Sequence, residues 1–336
     1  MVVTQDEDAI AAAPWITRQL RPLMAHAGPW LLAGPSGLGQ FDLALALACA
    51  WLCDRPTDAG ACGTCASCHE IGVHTHPDLL VLMPDAEREV RGWPLPESAA
   101  GSADAKKNKL SRDIRIDQMR AAVEFAQRTS SRGRGRVILV HPAERMNAVT
   151  ANALLKTLEE PPGDVRFVLS TGAGHLLLPT IRSRCLAHTM VWPDAAEAAA
   201  WLGQQGDSGT STALAWRAAG GRPGEALRLL ANAQTLAHYG QFPAQVKRGD
   251  GAALAGLALA EAIERMQKLC HDLMLQHVGA PPRFFTLDEL RDVAPSAWGL
   301  ARWWAQLGQM ARSAQHPLNP ELSAEFLLSI SQQALN

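Results

Sequence analysis

Residues 34–41 read Gly34-Pro35-Ser36-Gly37-Leu38-Gly39-Gln40-Phe41. A short apolar run, residues 29–33, precedes this stretch, and an Ala- and Leu-rich segment with helical character follows it over residues 38–53. A strand, a glycine loop and a helix in this order are typical of a phosphate-binding loop, in which glycines let backbone N–H groups surround phosphate oxygens. The glycine spacing of Gly34, Gly37 and Gly39 therefore predicts the plan of a nucleotide-hydrolysing domain.

Two positions of this loop lack the side chains that nucleotide chemistry needs. The working pattern ends in Lys followed by Ser or Thr, and here Gln40 and Phe41 occupy those places. A neutral amide does not offset phosphate charge, and a phenyl ring offers no oxygen to Mg²⁺. We expect this chain to bind ATP weakly or not at all, although the loop and the helix behind it still offer N–H donors.

The rest of the chain divides into an α/β half and an all-α half. Apolar strand-like runs and helical segments alternate up to about residue 190, which indicates a parallel sheet covered by helices. The strand predictions are 78–83, 137–140 and 165–170 besides 29–33, and the helix predictions include 116–127 and 151–158. Strand-like runs disappear after residue 194, where helices are predicted near 252–278, 298–313 and 320–334.

These patterns predict three domains. An α/β domain spans residues 1–190, a small helical domain 193–235 and a larger helical domain 238–336. Residues 84–111 are rich in Pro, Ala, Gly and Lys, so we expect a loop insertion there.

Composition is that of an ordinary soluble protein. The 336 residues are 47% hydrophobic and 19% charged, with a net charge of −2, which excludes a general electrostatic attraction to nucleic acid. The first ten residues carry Asp6, Glu7 and Asp8 and do not resemble a secretory signal, and the apolar run 43–53 is too short to span a bilayer. We expect a cytoplasmic protein with reduced cysteines and no membrane partner.

Four of the seven cysteines are closely spaced. Cys53, Cys62, Cys65 and Cys68 follow the spacing C-x8-C-x2-C-x2-C, with turn-forming glycines between them. Four thiolates can surround Zn²⁺ tetrahedrally and leave no open position, so the pattern predicts a structural zinc knuckle. Redox thiols are the alternative, and His69, His74 and His76 are possible substitute ligands.

Two further stretches carry a family resemblance. Residues 152–162 read Asn-Ala-Leu-Leu-Lys-Thr-Leu-Glu-Glu-Pro-Pro, and residues 182–185 read Arg-Ser-Arg-Cys. Together with the glycine loop and the cysteine cluster, this set resembles the bacterial clamp-loader subunits of DNA polymerase III, which are AAA+ proteins. The resemblance is dense over the first half and looser near residue 220, and the last hundred residues match only in being helical.

Within that family the chain looks most like the delta-prime type. The ATPase type, gamma/tau, needs the Lys and the Ser/Thr of the loop and also an acidic pair after the next strand. Here the strand 137–140 is followed by His141-Pro142, so a second part of the same catalytic site is missing. The resemblance implies a non-hydrolysing subunit with a helical lid at 193–235 and a helical collar at 238–336.

The resemblance also implies site residues and partners. The motif Ser183-Arg184-Cys185 looks like an arginine finger, with Arg184 reaching the γ-phosphate of ATP on a neighbouring subunit. Arg222 looks like a lid sensor that faces a degraded pocket, and Ser170-Thr171 occupies the place of the first sensor. The implied partners are gamma/tau and delta subunits in a hetero-pentamer, and through it the sliding clamp and primed DNA.

A basic segment offers a different interpretation. Ten Lys and Arg residues lie between positions 106 and 136, and aromatic residues that could stack on bases are almost absent there. The segment fits a DNA contact, a solvated loop or a surface facing an acidic subunit. Two rival functions follow: an active gamma/tau-type ATPase with an unusual loop, and a zinc-knuckle DNA-binding protein that reuses the fold.

Overall fold

The computed structural model describes residues 13–95, 110–205, 210–232, 236–293, 295–313 and 319–336. They fall into two compact units. The first contains residues up to Trp201 together with Arg222–Gly224, and the second contains Leu202–Gly221 and Glu225–Asn336. The predicted division of the helical half into a lid (193–235) and a collar (238–336) stays a prediction.

The first unit is built on one parallel sheet. Its strands are β1 (Trp30–Ala33), β2 (Leu79–Leu82), β3 (Arg136–Val140), β4 (Val165–Thr171) and β5 (Leu186–Thr189), in the spatial order β2-β3-β4-β1-β5. All four strand pairs are parallel, with Leu31 opposite Leu169 and Ile138 opposite Phe167. The predicted α/β class is confirmed for this half.

Most helices of the first unit lie between these strands in the chain, while one precedes β1 and one follows β5. They are α1 (Pro14–Met24), α2 (Gln40–Leu52), α3 (Ala66–Gly72), α4 (Asp85–Val90), α5 (Ile116–Gln127), α6 (Ala148–Glu159) and α7 (Pro179–Arg182), and α8 (Ala195–Gln204) begins in this unit. Strand β3 is buried along its whole length, and Met119, Leu154 and Phe167 belong to the core beside it. Such continuous apolar strands are typical of a sheet with helices on both faces.

Helices dominate the second unit. They are α9 (Thr210–Ala218), α10 (Pro223–Ala231, which begins in the first unit), α11 (Phe242–Arg248), α12 (Leu259–His277), α13 (Leu287–Leu290), α14 (Ala297–Ser313) and α15 (Pro320–Leu335). Inside this unit the carboxylate of Asp272 is fully buried and accepts backbone N–H bonds from Arg283, Phe284 and Phe285 at 2.6 to 2.9 Å. This one side chain therefore fixes the loop that follows α12.

Part of the predicted loop insertion is helical, which corrects the sequence prediction. Helix α4 occupies its start, with Asp85 and Glu87 in the first turn, where acidic side chains stabilise a helix. The helix is tied down by Arg88, which donates to the carbonyl oxygens of Val81 and Pro94. Residues 96–109 of the predicted insertion lie outside the described part of the chain.

Among the described residues, no helix combines the length and the apolar character needed to cross a membrane.

Candidate functional site

The glycine loop connects the carboxyl end of β1 to the first turn of α2. Gly37 and Gly39 have φ angles of 90° and 89°, a left-handed conformation that glycine adopts without strain. Gly34 is needed for a different reason, since a Cβ atom there would lie 2.8 Å from the Cβ of Met190. The loop therefore keeps the backbone form that its glycines predict.

The side chain of Gln40 folds back onto this loop. Its Nε2 atom donates to the carbonyl oxygens of Gly34 at 2.6 Å and of Pro35 at 2.7 Å, and the residue is only 5% exposed. The amide thus binds the loop itself, whereas a lysine at this position of a working loop would extend toward phosphate oxygens.

The ring of Phe41 lies in an apolar setting where the working pattern places a metal-binding hydroxyl. It is 2% exposed, and its centroid lies 5.1 Å from the ring of His141 and 6.2 Å from that of Trp93. The guanidinium of Arg91 lies over the same ring at 4.3 Å. Hydrophobic and cation–π contacts occupy this position, and none of these groups is an oxygen ligand for Mg²⁺.

A polar network surrounds His141 at the carboxyl end of β3. The Nδ1 atom of His141 lies 2.8 Å from the hydroxyl of Ser170, the residue predicted at the first-sensor position. Its Nε2 atom lies 3.4 Å from Nη2 of Arg91, whose Nε donates to Glu87 at 2.7 Å. The neighbouring Thr171 accepts the backbone N–H of Ala173 instead.

Burial and pairing shift the pKa values of this network in opposite directions. Burial lowers the pKa of His141, which keeps the imidazole neutral. Burial alone would raise the pKa of Glu87, but hydrogen bonding from His141 and the charge of Arg91 outweigh it and lower the pKa to about 2. Burial raises the pKa of Asp42, in the first turn of α2, to about 6.

Arg91, Trp93 and Glu87 were missed by sequence reasoning. All three lie in the stretch predicted as a loop insertion, and they reach the glycine loop only because α4 and the turn after it fold over Phe41. A buried Trp93 that also stacks on His74 at 4.0 Å leaves no periodic signal in the sequence.

The four predicted cysteines form one cluster. Their sulfur atoms all lie within 4.8 Å of one another and could hold a metal ion. The Sγ distances of Cys53, Cys65 and Cys68 are 3.4 to 3.8 Å. A tetrahedral metal with bonds of about 2.3 Å to sulfur places the sulfurs about 3.8 Å apart, so the cluster fits such an ion.

The remaining cysteines and the nearby histidines take other roles. Burial raises the pKa values of Cys49, Cys185 and Cys270 to about 12, so these thiols stay protonated. His76 accepts the backbone N–H of Asp78, and His74 stacks on Trp93. Among the described residues, the metal-type cluster contains cysteines alone.

The Ser183-Arg184-Cys185 motif follows α7. The Arg184 side chain is 31% exposed and forms an ion pair with Glu159 at 3.1 Å. The hydroxyl of Ser183 donates to the carbonyl oxygen of Thr180, and Cys185 packs against the core beside α6. The motif therefore presents one partly exposed guanidinium on a core-anchored turn.

The predicted lid sensor lies next to the glycine loop in the chain's first unit. That unit includes the segment Arg222–Gly224, and the backbone N–H of Gly224 donates to the carbonyl oxygen of Gly37 at 3.1 Å. A third loop carbonyl, after those of Gly34 and Pro35, is thereby bonded within the protein.

Part of the basic segment is bonded within the protein, whereas Arg112, Arg120 and Arg128 are exposed. Lys106, Lys107 and Lys109 lie outside the described residues. Arg136 is buried and donates to the carbonyl oxygen of Phe125, and Arg115 pairs with the buried Asp85 at 3.2 Å.

Arg132 in that segment pairs with Glu70 of α3. Asp78 holds the same loop by accepting the backbone N–H groups of Ser131 and Arg132 at 2.8 and 3.0 Å. The loop before β3 is therefore anchored from two sides.

Comparison with known proteins decides the family. Residues 19–191 match the family described as "DNA polymerase III, delta subunit". A Pseudomonas aeruginosa protein named DNA polymerase III subunit delta' is 35% identical over 272 residues, which cover 80% of this chain and 69% of that relative. The chain belongs to the family of DNA polymerase III delta' subunits.

Two further similarities accompany this assignment. The Escherichia coli K12 member of the family is 31% identical over 223 residues, 64% of this chain and 60% of that relative. A solved structure of a DNA polymerase III gamma subunit-related protein from Thermotoga maritima superposes with a TM-score of 0.48 at 18% identity, covering 95% of this chain and 99% of that one.

Proposed function

We propose that this chain is a non-hydrolysing delta' subunit of a DNA polymerase III clamp loader. In this proposal residues 1–190 form an AAA+ domain, residues 193–235 the lid and residues 238–336 the collar. The complex joins it to gamma/tau and delta subunits in a hetero-pentamer that loads the sliding clamp onto primed DNA. Family membership and the names of the delta' relatives support the clamp-loader role.

The observation that carries the non-hydrolysing part is the filled glycine loop. Gln40 bonds two loop carbonyls, and Phe41 lies under Arg91 and beside His141 where a metal ligand would be needed. ATP therefore binds this chain weakly or not at all. The same observation argues against an active gamma/tau-type ATPase, which requires a cation and an oxygen ligand at these positions.

The proposed contribution to catalysis is Arg184, acting in trans as an arginine finger. A guanidinium is always charged and forks to two phosphate oxygens, so it stabilises charge that develops on a neighbour's ATP during hydrolysis. Partial exposure on a turn fixed to the core supports this role, because the side chain is accessible while its backbone is held.

The DNA-binding alternative has weaker support. Three of the described basic residues, Arg115, Arg132 and Arg136, are bonded to Asp85, Glu70 and the backbone of Phe125, which leaves less charge for phosphates.

The cysteine cluster is proposed to hold a structural Zn²⁺ ion. Four sulfurs within 4.8 Å of one another, three of them 3.4 to 3.8 Å apart, fit zinc and provide no open coordination position for chemistry. When bound, the ion would fix the turn between α2 and α3.

The deciding experiment is ATP hydrolysis by the reconstituted loader with clamp and primed DNA, comparing wild type with Arg184→Ala. Fingers of this kind contribute roughly 10³-fold or more in other nucleotidases, so we expect a loss of that order at the adjoining site. The adjacent Arg182→Ala is the matched control and should hydrolyse ATP like wild type. An Arg184→Ala loader that assembles and hydrolyses normally would remove the finger role, and ATPase activity of the isolated chain would refute the non-hydrolysing assignment.

A further inference from the structure

Arg184 is held in place by a carboxylate at the end of another element. Glu159, the last residue of α6, accepts hydrogen bonds through one oxygen, Oε2, from Nε of Arg184 at 3.2 Å and from Nη2 at 3.1 Å. A third bond runs from Nη1 of Arg184 to the carbonyl oxygen of Thr180 at 3.1 Å. The Nε and Nη2 edge of the guanidinium is thus bonded to Glu159, and its Nη1 is bonded to Thr180.

This arrangement leaves a defined part of the guanidinium available. An arginine carries five N–H donors, one on Nε and two on each terminal nitrogen. The three bonds to Glu159 and Thr180 leave one N–H on each terminal nitrogen. Two donors on neighbouring nitrogens match the two oxygens of a phosphate group.

Both partners stand on rigid supports. Glu159 follows Leu158, which is buried in the core, and the double proline at Pro161-Pro162 follows the end of α6. Ile181, buried completely in α7, accepts the backbone N–H of Arg184 at 3.1 Å. Groups fixed this way keep a side chain near one geometry, which functional sites require.

The ion pair itself has little to do with folding stability. The Glu159 side chain is 57% exposed and that of Arg184 31% exposed, and ion pairs this accessible to water contribute little to folding. The ion pair instead orients Arg184, because it restricts rotation about several bonds of a long, flexible side chain before that side chain meets its target.

We propose that Glu159 is a positioning residue for Arg184. It holds the Nε edge of the guanidinium so that the remaining two N–H groups point outward to the terminal phosphate of a nucleotide on a neighbouring subunit. This inference rests on the proposed finger role of Arg184 and adds the residue that orients it.

The test measures ATP hydrolysis by the full reconstituted loader carrying Glu159→Gln. The amide loses the charge and presents a mixed donor and acceptor group, so we expect a rate lower by about 10-fold, smaller than the loss in Arg184→Ala. Glu160→Gln, one residue further on, is the matched control and should hydrolyse ATP at the wild-type rate. Thermal melting of the Glu159→Gln chain should match wild type.

The double variant separates positioning from other effects. If Glu159 acts only through Arg184, adding Glu159→Gln to Arg184→Ala lowers the rate no further. A wild-type rate in Glu159→Gln, or an additional loss in the double variant, overturns the positioning role while the finger role stands. An Arg184→Ala loader with normal hydrolysis refutes the finger role and this inference together.

Discussion

Two side chains decide what the glycine loop can do. Gln40 and Phe41 keep the loop folded through bonds and contacts made inside the protein. The Lys and Ser/Thr of a working loop instead direct their polar groups toward phosphate oxygens and Mg²⁺. Because Gln40 and Phe41 make their contacts within the protein, they contribute to its folding stability, and this contribution can be measured.

Phe41→Ala should lower the free energy of unfolding by about 3 kcal/mol or more, because it empties a site that is 2% exposed. Chemical denaturation of the isolated chain measures this change. Phe326→Ala, the same substitution at a side chain that is 52% exposed, is the matched control and should cost under about 1 kcal/mol. Equal effects in the two variants would contradict the packing described around Phe41.

His141 gives the fold a pH dependence whose sign follows from its burial. Its pKa in the folded protein lies below the ordinary value of 6.5, so unfolding takes up a proton once the pH falls below that value. Stability from this residue is complete above pH 6.5 and is lost as the pH falls, by at most about 1.4 kcal/mol per pH unit.

Denaturation of wild type and His141→Asn between pH 7.5 and 5.5 measures this dependence. The asparagine can still bond Ser170 but does not titrate, so stability should fall less steeply in the variant. Asp42, whose pKa is raised to about 6, works in the opposite direction in both proteins and cancels in the comparison. Parallel slopes would show that His141 is not the titrating group.

Gln40, Phe41 and His141 replace the Lys, the Ser or Thr and the acidic pair of a working site. These replacements could be predicted from the sequence, because comparing residue types with a spacing rule needs no tertiary contact. The sequence did not predict Arg91 or Trp93, which lie some fifty positions from Phe41 and meet it only in the folded chain. Contacts between distant residues leave no periodicity, and the composition of 84–111 suggested only a loop.

At the scale of elements, buried strands were predictable and the exposed strand was not. Strand β3 is buried throughout and apolar after Arg136, so its sequence predicts a buried strand. Strand β5, Leu186–Thr189, is exposed along most of its length and lies at the sheet edge, where neither alternation nor an apolar run is required. Its position is fixed by hydrogen bonding to β1.

The cysteine cluster should control the loop before β3. Glu70 lies on α3, the helix that also carries Cys68 of the cluster, and pairs with Arg132 of that loop. We expect one zinc ion per chain by elemental analysis, and we expect a chelator both to remove it and to speed tryptic cleavage after Arg132 and Arg134.

Two variants distinguish the steps of this prediction. Cys65→Ser should lose the metal, whereas Cys270→Ser, a buried cysteine of the second unit, should keep it. Glu70→Gln should keep the metal and still speed cleavage, since it breaks only the link to Arg132. Unchanged cleavage after metal loss would show that Asp78 alone holds the loop.

At the scale of the whole molecule, the two units differ in how far the sequence could describe them. The family match covers residues 19–191, where motifs with fixed spacing carry the assignment. In the second unit, helical periodicity predicted α14 and α15 closely but gave no sign of Asp272 binding three backbone N–H groups. Helical patterns describe which face is buried, whereas buried polar anchors depend on the loop they bind.

The closed loop at Gln40 and Phe41 also has a consequence for timing. In a nucleotide-hydrolysing subunit, the pocket binds and releases a nucleotide in each cycle, and the protein changes conformation with each of these steps. In the proposed function this loop, bonded to Gln40 and covered by Phe41, goes through no such steps, so this subunit would keep one conformation throughout the proposed complex's cycle. The neighbouring subunits would change conformation during the cycle, and this chain would be the fixed body relative to which they move.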